Sequence, residues 1–332
     1  MTVRNLIAAT IGLLLSMTAA VAQAPVLKVG FAKCAHCMPM ALLPEFAKDV
    51  KFEIVSFNAG SDVLTALVSK SIDVGQVTYL HFVTALDKGF DVVAISGQVN
   101  GGSELLVAPG LEVKAGDWAG LKALAAKSKA DGKPLKLGAS RGSAQDIHMR
   151  GALFKHGIDV NRDVQFINIP NPADHLAALR RGEIDMICAV EPFATQIRRA
   201  DSGKHFAFPY DQAAGRLTNI VVTRSDVIAA RRPDVQSVVT SIVDMNVKLK
   251  SEKGLWVDII NKLTGLDKDM AGAALENSFP DHALHRSSTI AIAKMMTELK
   301  YISRDVTGEI DKRMDYSFLE AATKQSKNEL GY

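Results

Sequence analysis

The sequence carries an internal duplication, and that duplication limits the folds open to it. SDVLTALVSKSIDV (61–74) aligns without a gap over ADHLAALRRGEIDM (173–186). The identical pairs are Asp62 and Asp174, Leu64 and Leu176, Ala66 and Ala178, Leu67 and Leu179, Ile72 and Ile184, and Asp73 and Asp185. LKVGFA (27–32) lies in the same way over LKLGAS (135–140). The competing explanation is convergence on Leu- and Ala-rich punctuation between helices and strands. Two α/β lobes of one design account for more of the letters.

The order of elements supports the duplication. In the first block, 26–31 reads as a strand and Pro39 suits the first turn of a helix through Leu43 to Phe46. Residues 52–57 alternate as a strand, and Ser61 is placed to cap a helix with Val63, Leu64, Leu67 and Val68 on one face. A short strand over 72–77, a helix over 80–88 and a buried strand over 92–95 follow. The second block repeats the order with strands over 135–138, 164–169 and 184–190 and helices over 143–156 and from Asn171-Pro172 to Gly182. Residues 226–332 read as mostly helical, with Val235 to Leu249 strongly periodic, and are expected to pack on the first lobe.

Such alternation predicts parallel sheets covered by helices, which bind ligands beyond the carboxyl ends of their strands. The rule selects loops 32–38, 58–62 and 77–81 in the first lobe and 139–144, 170–173 and 190–193 in the second. Glycine and polar residues break the rhythm at 98–102 and 208–217, which are taken as hinge crossovers. The expected division is a signal peptide over 1–22, a first lobe over 23–97 plus 218–332, and a second lobe over 103–207.

Composition bounds the rest. At 332 residues, 48% hydrophobic and 23% charged, the chain is long enough for two domains and too apolar to be disordered. A net charge of +3 at pH 7 with no basic cluster among aromatics argues against nucleic acid. Arg4, the apolar run Leu6 to Val21 and Ala20-Val21-Ala22 form a leader cleaved before Gln23. No cysteine lies near that junction to carry a lipid, and no other apolar run is long enough to span a bilayer. The expectation is a soluble, exported monomer in the periplasm, without a cofactor.

The stretch LKLGASRGSAQDIHMRG (135–151) places Ser143 as a helix cap with Asp146 as its capping-box partner. A strand feeding a tight loop at a helix N-terminus suits an anion. The equivalent loop of the first block is Cys34-Ala35-His36-Cys37-Met38-Pro39-Met40, which admits three readings. In one, Cys34 and Cys37 form a disulfide and His36 contacts ligand. In another, Cys34, His36, Cys37 and Met38 hold a soft metal. The third is a thioredoxin-like redox pair. Cys188 reads as a buried thiol, His81 as able to reach the cleft, and His148 as a surface or interface residue. His282 and His285 are expected to be exposed. Glu191 reads either as an acceptor for ligand or as an anchor for the hinge.

Several motifs together resemble one family. They are LKVGF, FNAGSDVLTALVSKSIDVGQV, KGFDVVAISG, WAGLK, LGASRGSAQDIHMRGALFKHGID and LAALRRGEIDMICAVEPFATQ, running from about Leu27 to Arg224. The chain resembles periplasmic substrate-binding proteins of ABC importers of the nitrate/sulfonate/taurine class, which includes relatives binding thiamine-pyrimidine precursors. The resemblance implies a two-lobed type II periplasmic-binding-protein fold that closes on a small molecule and docks on a membrane permease with its ATPase. It implies an N–H cradle at Arg141, Gly142, Ser143 and Ala144, with Thr78 and Tyr79 facing Glu191 across the cleft. The first loop departs from the family pattern, so it gives no substrate identity.

The expected ligand is a small organic anion such as a sulfonate or carboxylate. The alternatives are a thiamine-type pyrimidine or other heterocycle, or a soft metal or metal chelate. No Ser-His-Asp ordering, glycine-rich nucleotide loop or His-Glu-x-x-His helix is visible, so transport without chemistry is expected. An enzyme on the same scaffold is the competing class, against which the leader argues.

Overall fold

The computed structural model describes residues 26–210 and 217–332. The leader over 1–22 and positions 211–216 of the second crossover lie outside the described residues. Strands β1 (Leu27–Ala32), β2 (Phe52–Phe57), β3 (Val74–Thr78) and β4 (Val93–Gly101) come first, followed by β5 (Ser103–Val107), β6 (Lys136–Ala139), β7 (Gln165–Asn168) and β8 (Met186–Val190). The last three are β9 (Lys204–Ala207), β10 (Asn219–Thr223) and β11 (Ser278–Asp281). They form a six-stranded sheet, β11-β4-β10-β3-β1-β2, and a five-stranded sheet, β7-β6-β8-β5-β9.

The duplication is a duplication of contacts. β1 pairs in parallel with β2 and β3, and β6 pairs in parallel with β7 and β8. The identical aspartates explain themselves. Asp73 Oδ2 accepts from Lys28 N at 2.9 Å and Asp185 Oδ2 accepts from Lys136 N at 2.8 Å. Each aspartate N–H in turn donates to the same lysine carbonyl, at 2.9 and 2.8 Å. The matching glycines are equally specific. A Cβ on Gly30 would lie 2.5 Å from Ile72 Cδ1, and one on Gly138 would lie 2.8 Å from Ile187 and 3.1 Å from Ile184.

The first sheet and the C-terminal helices share one core. Val235, Val238, Val239 and Ile242 of the kinked helix Ser225–Ser251 pack with Trp256, Phe318 and the strand residues Val29, Val77 and Ile220. The second sheet has a core on each face, one around Leu137, Leu153 and Phe206 and the other around Leu179, Ile184 and Ile197.

Three expectations change. The first helix region is a 3-10 turn, Met38–Leu42, followed by the short helix Leu43–Phe46. Ser61 is not a cap: the helix Gly60–Val68 starts one residue earlier, its N-cap is Ala59, and no side chain caps it. Residues 98–101, read as a crossover loop, are the second half of β4 and pair with β11. Asn100 finds partners within the protein, accepting from Thr218 N at 2.9 Å and donating to Asp281 at 3.1 Å. The chain passes to the second sheet at Gly101 and Gly102, whose φ values are 92° and 77°.

Gly30→Ala and Gly138→Ala should each lower unfolding stability by about 1–3 kcal/mol through overpacking. Urea denaturation measures this, and a neutral result at both positions would separate the repeated glycines from the isoleucine contacts.

Candidate functional site

A cavity of about 740 Å³ opens at the carboxyl ends of the parallel strands of both sheets. Each of the six loops selected from the sequence contributes to its wall, and Thr218 and Asn219 at the start of β10 complete it. Cys34, His36, Thr78, His81, Arg141, Gly142 and Ser143 line it, as do Lys33 and Gln76.

The first-lobe wall is an uncapped helix N-terminus. Asn58, Ala59, Gly60 and Ser61 line the cavity at the start of the helix Gly60–Val68. The first N–H groups of a helix have no intrahelical acceptor and carry the positive end of its dipole. Among the described residues, none accepts from the Gly60 or Ser61 N–H. His81 leans over this turn, and a Cβ on Gly60 would come within 2.7 Å of its ring.

Thr78 caps the helix Tyr79–Asp87 and fixes the His81 imidazole. Nδ1 lies 3.0 Å from Thr78 Oγ1 and 3.4 Å from Thr78 N, whose N–H can only donate. This assigns the proton to Nε2. Burial draws the His81 pKa down to about 4, against a smaller opposing effect of Asp62, so the ring is a neutral donor at pH 7.

The floor holds polar atoms without protein partners. Gln76, on β3, is 1% exposed and its Oε1 has none among the described residues. His36 is 2% exposed, its Nδ1 has none either, and its Nε2 lies 3.3 Å from Cys34 Sγ. Burial first, and His148 second, lowers the His36 pKa to about 3. Cys34 and Cys37 form a disulfide with Cα atoms 5.0 Å apart. Buried polar atoms are costly to leave unsatisfied. Gln76 and His36 are therefore the atoms in this wall that gain most from a ligand or water. Sequence reasoning missed Gln76, although one polar side chain inside the buried run of β3, beside a candidate loop, was a readable signal.

The second-lobe wall differs from expectation. Ser143 does cap the helix Ala144–Lys155, accepting from Asp146 N at 3.3 Å. Three of the four N–H groups expected to form a cradle already have protein acceptors. Arg141 N donates to Asn168 Oδ1 at 2.9 Å, Gly142 N to Asp146 Oδ2 at 2.9 Å and Ser143 N to Ser140 O at 3.1 Å. The Asp146 carboxylate, fully buried, also accepts from Arg150 Nε at 2.7 Å and from Tyr301 Oη. The anion position of this helix is thus filled by the protein itself. Arg141 still contributes an exposed guanidinium 5.1 Å from the Phe166 ring centre. Lys33 is the other formal charge in the lining, and among the described residues no Asp or Glu lines the cavity.

Three further candidates do not reach the cavity. Tyr79 is buried and its hydroxyl donates to Leu284 O at 3.1 Å, in the core behind its helix. Ala144 is buried at the first helical position. Glu191 accepts from Thr195 N at 2.9 Å and pairs with Arg198 at 3.4 Å, while its carbonyl accepts from Ala35 N at 3.0 Å. Its side chain and carbonyl are thus engaged within the protein, and burial raises its pKa to about 7.

Met38 is likewise packed in the core. His148 is buried where the lobes meet, 3.1 Å from both Ser103 Oγ and Leu217 O. His285 is not free in solvent but lies 2.7 Å from Asp281. Cys188 is a buried thiol whose pKa burial raises.

Comparison with known proteins places this geometry. The NMT1-like family matches residues 21–253. The nitrate/nitrite binding protein NrtA of Synechococcus elongatus is 37% identical over 78 residues, a match covering 23% of this chain and 17% of that relative's length. The periplasmic aliphatic sulphonate binding protein SsuA of Escherichia coli superimposes with a TM-score of 0.70 at 20% identity, covering 87% of this chain and 91% of that one. The periplasmic nitrate-binding protein NrtA of Synechocystis PCC 6803 gives 0.75 at 16% identity, over 90% and 88%. The shared feature is the fold, that of the two-lobed periplasmic binding proteins. These neighbours are binding proteins, not enzymes. Among the described residues, no helix is long and apolar enough to cross a membrane.

Burial also sets an acid sensitivity. His148 has its pKa lowered from 6.5 to about 4. Between these values the unfolded chain binds the extra proton, so the contribution to stability is complete above pH 6.5 and is lost as pH falls towards 4. For one such histidine the loss at pH 5 is about 2 kcal/mol. Urea midpoints at pH 7 and pH 5 should therefore differ less in His148→Gln than in the parent chain. An unchanged difference would mean that the imidazole is charged in the fold.

Proposed function

The chain belongs to the NMT1-like family, and from that membership we propose that it is the solute-binding component of an ABC importer. It captures a small organic anion between its lobes, without chemistry on the ligand, and delivers it to a membrane permease. The observation that carries this reading is the charge of the cavity. Lys33, Arg141 and the uncapped start of the helix Gly60–Val68 meet there, with no carboxylate in the described lining. Sulfonate and nitrate are what the named relatives bind, and both are flat or tetrahedral oxyanions that such donors suit.

In this reading the anion lodges first on the first lobe. Gly60 N–H, Ser61 N–H and His81 Nε2–H point donors at it, and Lys33 supplies charge. Gln76 and Gln145, a second buried glutamine of the lining, hold a polar substituent deeper in the cavity. Rotation about the strand-to-strand passage at Gly101 and Gly102 then brings Arg141 over the ligand. A leader over 1–22 fits delivery to the periplasm, where the permease meets the closed form.

Gln76, Gln145 and Phe193, all in the lining, favour a second ligand class, a flat heterocycle hydrogen-bonded along its edge. A thermal-shift screen against small sulfonates, carboxylates and pyrimidines separates the two. Ligand at 100 times Kd should stabilise the fold by roughly 2.7 kcal/mol. Stabilisation by pyrimidines alone would replace the anion reading.

With an anion in hand, Lys33→Ala and Arg141→Ala should each weaken binding about tenfold to a hundredfold, and added salt should shrink the effect. Gly60→Ala should weaken it also, because the new methyl displaces His81. Ser143→Ala should cost folding stability more than affinity. Calorimetry with all four variants tests this, and unchanged affinity in both charge variants would sink the proposal.

A further inference from the structure

The cavity floor contains a group of side chains that anion binding does not use. Cys34 Sγ, Cys37 Sγ and a ring nitrogen of His36 lie within 4.8 Å of one another. We propose that reduction of the Cys34–Cys37 disulfide creates a site for a thiophilic divalent cation of the zinc class, held by both thiolates and the His36 imidazole, with its fourth position open to the cavity.

Zinc bonds of about 2.3 Å to sulfur and 2.0 Å to nitrogen, at tetrahedral angles, set S···N edges of about 3.5 Å and S···S edges of about 3.8 Å. His36 Nε2 already stands 3.3 Å from Cys34 Sγ. Two thiol sulfurs released from a disulfide move apart to about the second distance by van der Waals contact alone. The imidazole is held in place. Its backbone carbonyl accepts from Asn219 Nδ2 at 3.2 Å, and its ring lies against Gly102, where a Cβ would come 2.2 Å from Nδ1. Ligation through Nε2 leaves the one proton of the neutral ring on Nδ1, which is buried against Gly102.

Charge favours a divalent ion. Two thiolates and one divalent cation form a neutral group, which a buried floor tolerates better than a bare charge. All three residues line the cavity, so the vacant fourth position faces its contents, the arrangement of a zinc site with an exchangeable ligand. Met38 packs in the core and is not part of the set.

The step balances with a dithiol as reductant. Its two electrons and two protons convert the disulfide to two thiols, the donor leaves as its own disulfide, and metal binding releases the two protons. The inference rests on the loop geometry and not on the anion reading.

The test uses the full chain, reduced anaerobically with a dithiol, desalted, and titrated with Cd(II) in the absence of organic anions. The thiolate-to-cadmium charge-transfer absorption should saturate at one equivalent, and Zn(II) should displace it. The oxidised chain and Cys34→Ser/Cys37→Ser should show no band, and His36→Gln should bind at least tenfold more weakly. A reduced chain with no more absorption than the double serine variant overturns the proposal. Equal affinity in His36→Gln overturns it too, by leaving a bare dithiol. The Co(II) adduct of the unmutated chain gives a readout independent of variants: intense visible bands of a four-coordinate ion are expected, and weak six-coordinate bands would refute the site. Calorimetry of anions with the oxidised chain then fails or succeeds separately.

Discussion

One residue's backbone holds the two halves of the cavity floor in register. The N–H of Ala35 donates to Glu191 O of the second lobe at 3.0 Å. The Ala35 carbonyl accepts from Trp256 Nε1, in the C-terminal helices behind the first sheet, at 2.8 Å. The cysteine loop is thus fixed from two distant parts of the chain at once. Ala35 is buried, so these bonds are formed away from water, where a lost partner is expensive. His36 and the disulfide inherit their positions from this point. The buried Glu191 side chain, tied to Thr195 and Arg198, keeps the acceptor where Ala35 needs it.

The two lobes use the same local geometry to different ends. Both present a helix N-terminus to the cavity. In the second lobe Asp146 fills the position that an anion would take and is clamped there by Arg150 and Tyr301. In the first lobe Ala59 stands at the cap, with no side chain to fill the corresponding space. The duplication therefore produced one closed electrostatic circuit and one open one. The open one adjoins His81, kept neutral by burial and oriented by Thr78. A donor that carries no charge can face an anion without competing for it when the cavity is empty.

Much of the fold was legible because the repeated letters do repeated work. Asp73 and Asp185 had to be identical because each closes the same pair of backbone bonds. Gly30 and Gly138 had to match because an isoleucine methyl lies against each. The parallel part of each sheet and the cavity-lining loops followed from strand and helix alternation, but the sheets are mixed: β10 pairs antiparallel with β3 and β4, β11 with β4, and β5 with β8 and β9. The limits of the reading have equally physical causes. Residues 98–101 look like a crossover by composition, but they pair inside a sheet, and the Asn100 amide finds partners far along the chain. Tyr79 follows a strand at the right place, yet its direction is set by the helix it begins. Asp146 was visible as a capping partner. That its carboxylate would use the Gly142 N–H, and so occupy one donor of the expected cradle, depends on the turn of the loop at Gly142, where φ is 76°.

The filled seat beneath Gly142 also decides how the protein meets its medium. A helix pole neutralised by a buried carboxylate offers nothing to chloride or sulfate in the surroundings. On the anion reading, the pole left open shares the lining with Lys33, so ions of the medium would compete with the ligand on that wall and not on the other.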